Sequence, residues 1–378
     1  MMNLVVMVVI LAAMLLDVNA LKDPLLRSSR FAQRLSAASV DTNSEYDMIK
    51  QQATGALQQK VAEGKAPAAF VNMVVGFLDE YAESNLAAKT TPDKFKTNVF
   101  TLLKTVQEAL VNPYKFQPFH QAVREPFDFY TWGNEFLKPL IIDEQSKAFG
   151  LENAKRIEDY IAKGENVIIL SNHQTEVDPQ VLSILLEKNG MASLAEKVVF
   201  IAGHKVTNDP IAIPFSMGRN LICIHSKKHI KNPPEDIPKK QAQNLDSMKA
   251  MSDLITEGGK IFWVAPSGGR DRPNEDGKFV VAPFDYKALD MFKLLAYQTK
   301  KPMHFFPMAM YTNKLVPPPE TVSSTLGETR SAKRGPVSIH FLDETADLGG
   351  LKDKDFCASL QGRVEKAFED LVAFHASF

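Results

Sequence analysis

The chain has 378 residues, with 44 Lys plus Arg against 45 Asp plus Glu and 45% hydrophobic residues. This is the balance of an ordinary globular protein, and it excludes a collagen-like, mucin-like or wholly disordered chain. A net charge of −1 leaves no bulk basic charge for sequence-independent nucleic-acid binding, and Cys223 and Cys357 are too few for a disulfide framework or a four-cysteine zinc site.

Leu4 to Leu16 is an unbroken apolar run, too short to span a membrane comfortably, closed by Asp17 and followed by the small-residue pattern Val18-Asn19-Ala20. Residues 1–20 therefore read as a signal peptide, although no Lys or Arg precedes the run; an uncleaved anchor is the alternative. Leu21 to Ser39 carries Lys22, Arg27, Arg30 and Arg34, several serines and the single acid Asp23, so 21–42 reads as a transit peptide. The two in series resemble the address of a plastid with additional membranes, which places the mature protein in the stroma. A secreted protein with a basic arm is the alternative. No second long apolar run follows, so the remainder is expected to be soluble or in peripheral contact with a membrane.

Residues 43–112 read as a small all-helical domain. Ile49, Ala53, Ala56, Leu57 and Val61 recur at helical spacing, Pro67 opens a second helix, and Thr91-Pro92-Asp93 is a helix start whose helix runs to about Leu110. Residues 113–139 are rich in proline and aromatics, either a packed linker or a hydrophobic cleft wall. From about Ile141 the pattern alternates: strands near 167–170, 198–202, 221–224, 261–264, 304–309 and 337–341, helices near 180–188, 240–257, 285–299 and 353–376. That alternation predicts, over 113–378, an α/β domain whose mixed sheet is covered by helices on both faces.

Four segments carry chemistry. Ser171 to Pro179 follows a buried strand and contains His173 and Asp178, a base and its carboxylate partner if they meet. Five residues are about 140° out of phase on a helix, so they can meet only in the turn before it. No G-x-S-x-G motif is present, so the proton would come from a substrate hydroxyl. His204 and Asp209 repeat the same spacing after another strand. Spacing does not choose between them, and all four together could form a two-metal hydrolase site. Pro214 to Asn220 and the run Ser226-Lys227-Lys228-His229 come next, a dianion site or a solvated turn. Ala265 to Pro273 is a glycine turn holding Arg270 and Arg272, forks that fit phosphate oxygens or a structural ion pair. Val316-Pro317-Pro318-Pro319 is a rigid loop, or a wall of the acceptor or acyl site.

In this order the four segments resemble the four blocks of the glycerolipid acyltransferases, and most closely the soluble plastid glycerol-3-phosphate 1-O-acyltransferases, over roughly residues 100–350. The resemblance implies transfer of a fatty acyl group from an acyl carrier protein thioester, or acyl-CoA, to the sn-1 hydroxyl of glycerol 3-phosphate, giving lysophosphatidate. It implies His173 as base, Asp178 as its partner, and Lys228, His229, Arg270 and Arg272 as phosphate ligands. It makes His204 structural. No cofactor or metal and no nucleic acid is expected, and the aromatic stretch or the Met-rich strand ends are candidates for the acyl groove. The rival readings are a lysophosphatidate acyltransferase, a non-catalytic phosphate-ester or lipid-binding protein, and a metal-dependent phosphohydrolase.

Overall fold

The computed structural model describes residues 42–64, 68–226, 230–318, 330–345 and 353–378. The signal-like and transit-like segments fall outside these residues up to position 41. The chain divides after Tyr114 into two compact units.

The first unit holds helices α1 (Thr42–Ala62), α2 (Ala68–Ala87) and α3 (Pro92–Val111). The start of α3 follows from its local chemistry. The Thr91 hydroxyl accepts the Lys94 N–H, Pro92 sits where its missing donor costs nothing, and Asp93 lies at the positive end of the helix dipole. Tyr46, Leu78, Tyr81, Phe95 and Val99 are buried among the three helices. Tyr46 stacks on Phe95 with ring centroids 4.4 Å apart and donates its hydroxyl to the Thr90 carbonyl at 2.7 Å, so its polar tip is satisfied inside the core.

The second unit runs α4 (Phe129–Leu137), β1 (Lys147–Phe149), α5 (Leu151–Ala162), β2 (Asn166–Ser171), α6 (Asp178–Lys188), α7 (Ala192–Lys197), β3 (Val198–Gly203), α8 (Ala212–Met217) and β4 (Asn220–Ile224). It continues with α9 (Ile237–Glu257), β5 (Ile261–Val264), β6 (Arg272–Pro273), β7 (Phe279–Val280), α10 (Tyr286–Thr299), β8 (Met303–Tyr311), β9 (Ser338–Phe341) and α11 (Asp353–His375). Seven strands form one mixed sheet in the order β1-β9-β8-β2-β5-β3-β4, and β6 and β7 form a separate hairpin. β8, β2, β5, β3 and β4 are parallel, while β9 pairs antiparallel with β8.

β2 is central and buried along its whole length, which is why it reads as a continuous apolar run rather than an alternating one. Ile168 and Leu170 face a core shared with Phe262 and Phe305 and closed by Met251 and Ile255 of α9, Phe292 of α10, and Leu360 and Val364 of α11. Burying each such side chain contributes about 2–3 kcal/mol. Val167 and Ile169, the alternate residues, face the other layer, where α5 packs on β2.

The stretch from 113 to 139 is packed rather than open in its second half. Trp132 and Phe136 of α4 are buried, Trp132 stacked on Phe215 of α8 at 4.8 Å and Phe136 edge-on to it at 5.4 Å. Gly218 permits this approach, because a Cβ there would lie 2.5 Å from the Phe129 carbonyl oxygen.

The five parallel strands send their carboxyl ends to one edge of the sheet. The segments after β2, β3, β4, β5 and β8 therefore gather on that side, where α/β sheets present reactive groups.

Candidate active site

Residues 172–177 form the turn from β2 into α6, and Asp178 is the first residue of that helix. The turn brings His173 Nδ1 to 2.8 Å from Asp178 Oδ2. Asp178 is buried, yet its carboxylate is saturated with donors. Oδ1 accepts from the Thr175 N–H at 3.2 Å, the Thr175 hydroxyl at 3.0 Å and the Thr312 hydroxyl at 2.6 Å. Oδ2 accepts the Gln174 N–H at 2.8 Å beside the imidazole. Burial pushes the Asp178 pKa up, but pairing with His173 and the bonds from Thr312 and Gln174 outweigh it and hold the carboxyl below its ordinary value. An ionised acceptor takes a hydrogen bond from Nδ1–H, which keeps the proton on that nitrogen and leaves the lone pair on Nε2. The His173 side chain is 25% exposed and meets the Trp263 indole edge-on, with centroids 5.6 Å apart.

Two carboxamides fasten the turn to β8. Asn172 accepts the Met310 N–H at 2.8 Å and donates to the Met310 carbonyl at 3.0 Å. Gln174 Oε1 accepts the N–H groups of Thr312 at 2.8 Å and Asn313 at 3.2 Å. Asn172 also donates to Asp271 Oδ2 at 2.9 Å. Asp271 lies between the two arginines of the glycine turn, its backbone N–H donates to the His173 carbonyl, and its Oδ1 accepts the Ala282 N–H at 2.9 Å. Burial pushes the Asp271 carboxyl up to about 6 against these bonds. The arginine turn and the histidine turn are thus joined at their backbones. Arg270 and Arg272 are half-buried, and Arg272 Nη1 donates to the carbonyls of Arg270 at 3.1 Å and Asp271 at 3.0 Å.

Lys228 and His229 lie outside the described residues; β4, which leads to them, ends at the same sheet edge. Pro319 is also outside, while Val316 is buried and Pro317 and Pro318 are half-buried just beyond Thr312. Met308 and Met310, candidates for an acyl groove, are fully buried, as Trp132 and Phe136 are nearly so; these side chains form packed core.

The second His/Asp turn is built differently. His204 stacks on His225 with centroids 3.7 Å apart and planes 10° apart. Burial first, then the neighbouring His225, push the His204 pKa down to about 4. Asp209 accepts the Ile211 N–H at 2.9 Å and Arg330 Nη2 at 2.8 Å. The four groups do not converge as a two-metal site requires, and among the described residues no three His, Cys, Asp or Glu side chains cluster as metal ligands.

The sequence reading assigned no role to Asn172, Gln174 or Thr312, and offered Asp271 only as the ion-pair partner of the arginines beside it. The available signal was polar residues at the ends of buried strands, which must find partners.

A family model described as Acyltransferase matches residues 152–311. The chloroplastic glycerol-3-phosphate acyltransferase of Arabidopsis thaliana is 35% identical over 320 residues, covering 82% of this chain and 68% of that protein. The Phaseolus vulgaris protein of the same description is 34% identical over 316 residues, again 82% and 68%. The one from Spinacia oleracea is 40% identical over 235 residues, covering 62% of this chain and 50% of that protein. The solved 1-acyl-sn-glycerophosphate acyltransferase of Thermotoga maritima overlaps with a TM-score of 0.38 at 15% identity, covering 76% of this chain and 87% of that one, too loosely to carry an argument. With its paired histidine and aspartate at the carboxyl edge of a mixed sheet, the chain belongs to the family of chloroplastic glycerol-3-phosphate acyltransferases.

Proposed function

We propose that this protein transfers a fatty acyl group from a thioester donor to the sn-1 hydroxyl of glycerol 3-phosphate, giving lysophosphatidate. The observation that carries the reading is the His173–Asp178 pair on a turn whose backbone is joined to the Arg270–Arg272 turn. His173 Nε2 takes the proton of the acceptor hydroxyl as its oxygen attacks the thioester carbonyl. Asp178 keeps the ring oriented and balances the imidazolium that forms. The proton then passes to the departing thiolate as the tetrahedral intermediate collapses, with no acyl-enzyme. Arg270 and Arg272, with Lys228 and His229, hold the phosphate dianion and so fix the hydroxyl relative to the base. The donor in this reading is an acyl carrier protein thioester, with acyl-CoA as the alternative. The curated relatives are described as chloroplastic, which supports a plastid location; stromal delivery by a signal-plus-transit leader is our finer reading.

The test uses protein lacking residues 1–40, radiolabelled glycerol 3-phosphate, and either thioester, with and without chelator. Chelator-insensitive formation of lysophosphatidate supports the reading. Product formed only when lysophosphatidate is the acceptor moves the enzyme one step later, and chelator-sensitive release of inorganic phosphate from glycerol 3-phosphate without acyl transfer favours a metal-dependent phosphohydrolase. Arg270→Ala and Arg272→Ala are each expected to raise the KM for glycerol 3-phosphate by about tenfold or more, since a hydrogen bond to a charged group contributes about 1.5–3 kcal/mol. An unchanged KM in both removes the phosphate assignment.

A further inference from the structure

The histidine turn is held on its β8 side by Asn172, Gln174 and Thr312. A different residue ties it to the turn after β3. The Arg330 side chain is 8% exposed and lies between two carboxylates. Its Nε donates to Glu176 Oε1 and its Nη2 donates to Glu176 Oε2 at 3.1 Å. The same Nη2 donates to Asp209 Oδ2 at 2.8 Å. Glu176 stands inside the turn, three residues after His173 and two before Asp178. Asp209 closes the turn after β3: its Oδ1 accepts the Ile211 N–H and its carbonyl the N–H groups of Ala212 and Ile213, fixing the first turn of α8.

We infer that Arg330 is a positioning residue for the reaction: it locks the His173–Asp178 turn to the turn after β3 by gripping Glu176 with a two-point fork and Asp209 with the same guanidinium. A fork that meets both oxygens of one carboxylate fixes orientation as well as distance, which a point charge does not. The turn is thus tied to β8 by Asn172 and Gln174 and to the turn after β3 by Arg330. The guanidinium is engaged by carboxylates, so its effect on the substrate passes through Glu176.

This inference rests on the acyltransfer reading for its kinetic arm, and a spectroscopic arm stands without it. In the kinetic arm, Arg330→Ala is expected to lower kcat about 10- to 100-fold, the scale of a 1 Å misplacement of a reacting group, with the KM for glycerol 3-phosphate within about threefold. Arg330→Lys is expected to restore only part of the loss. Glu176→Gln is expected to reproduce it, and the double variant Arg330→Ala with Glu176→Gln to be no worse than Arg330→Ala alone, because both remove one link. In the spectroscopic arm, the low-field Nδ1 proton of His173 is followed by NMR on protein labelled at histidine. Its loss or shift in Arg330→Ala or Glu176→Gln supports the inference. A folded Arg330→Ala with wild-type kcat and an unmoved His173 signal overturns it, as do losses that multiply in the double variant. Should Arg330→Ala fail to fold, Glu176→Gln decides in the same way. A wild-type enzyme that transfers no acyl group counts against the proposed function, while the NMR comparison still judges Arg330.

Discussion

The turn after β2 and the turn after β3 carry the same two residue types at the same spacing, His173 with Asp178 and His204 with Asp209. They differ in what surrounds the carboxylate. Asp178 opens α6 and receives only hydrogen-bond donors that hold it in place: two backbone N–H groups, two hydroxyls and the imidazole. Asp209 precedes α8 and meets a guanidinium, which satisfies its charge before any histidine can. His204 is left to stack on His225. An imidazole becomes a base where an oriented carboxylate is reserved for it; the same spacing beside an arginine builds a brace.

The largest expected contrast comes from the histidines. His173→Ala is expected to lower kcat by about a thousandfold or more, the upper range for removing a general base, with the protein still folded by circular dichroism. His204→Ala is expected to change kcat less than about tenfold. Equal losses in the two would erase the distinction between the turns.

The aspartates sharpen it. Asp178→Asn offers an amide N–H where the ring needs an acceptor, and a loss near 10³- to 10⁴-fold in kcat is expected, as in other histidine–aspartate pairs. Asp209→Asn acts mainly on stability, and on kcat by no more than Arg330→Ala does. It leaves a buried guanidinium with one carboxylate fewer, at a cost of about 1–3 kcal/mol, read as a fall of several degrees in the melting temperature. The comparison fails if Asp209→Asn matches Asp178→Asn in kcat while melting like wild type.

The smallest effect is on acid stability. The folded-state pKa of His204 is pushed down to about 4 from 6.5, so between these values the unfolded chain binds the proton more readily. The contribution is fully present above about pH 6.5 and is lost as the pH falls toward about 4. His204→Phe keeps a ring against His225 and removes that proton, so its acid-unfolding midpoint is expected at lower pH than wild type. A midpoint at or above that of wild type would show that His204 does not set this window.

Strands β2, β3, β4, β5 and β8 were legible because a strand buried on both faces must be apolar throughout. β1 was not: it has three residues, one of them exposed, and its partner β9 lies almost two hundred positions away. The short helix α8 has no room for a helical period. In the site, His173 and Asp178 were candidates because both lie in one turn, but His204 and Asp209 share that spacing, and the family resemblance was what chose between the pairs. Thr312 and Arg330 were not candidates, since they are 134 and 154 positions from the groups they hold, and a threonine or arginine in a polar stretch has no local signature. The aromatic stretch could not be assigned because periodicity reports which residues are apolar; which surface they meet, here Phe215, is a property of the fold.

Asn172 and Gln174 continue the ladder of β2 with side-chain amides in place of peptide groups. The last backbone register is Ser171 opposite Met308, and the two carboxamides then reach Met310 and Thr312, each step of two on one chain matched by two on the other. The intervening His173 is thereby turned away from β8 and toward Trp263 of β5. This makes the turn sensitive to parity. Surface loops ordinarily absorb insertions and deletions, but one residue gained or lost between Ser171 and Gln174 would exchange the roles of anchor and base, pressing the imidazole against β8 and presenting an amide to the substrate. A change of length is therefore expected to be tolerated in the loops around the turn and to abolish the site when it falls within the turn.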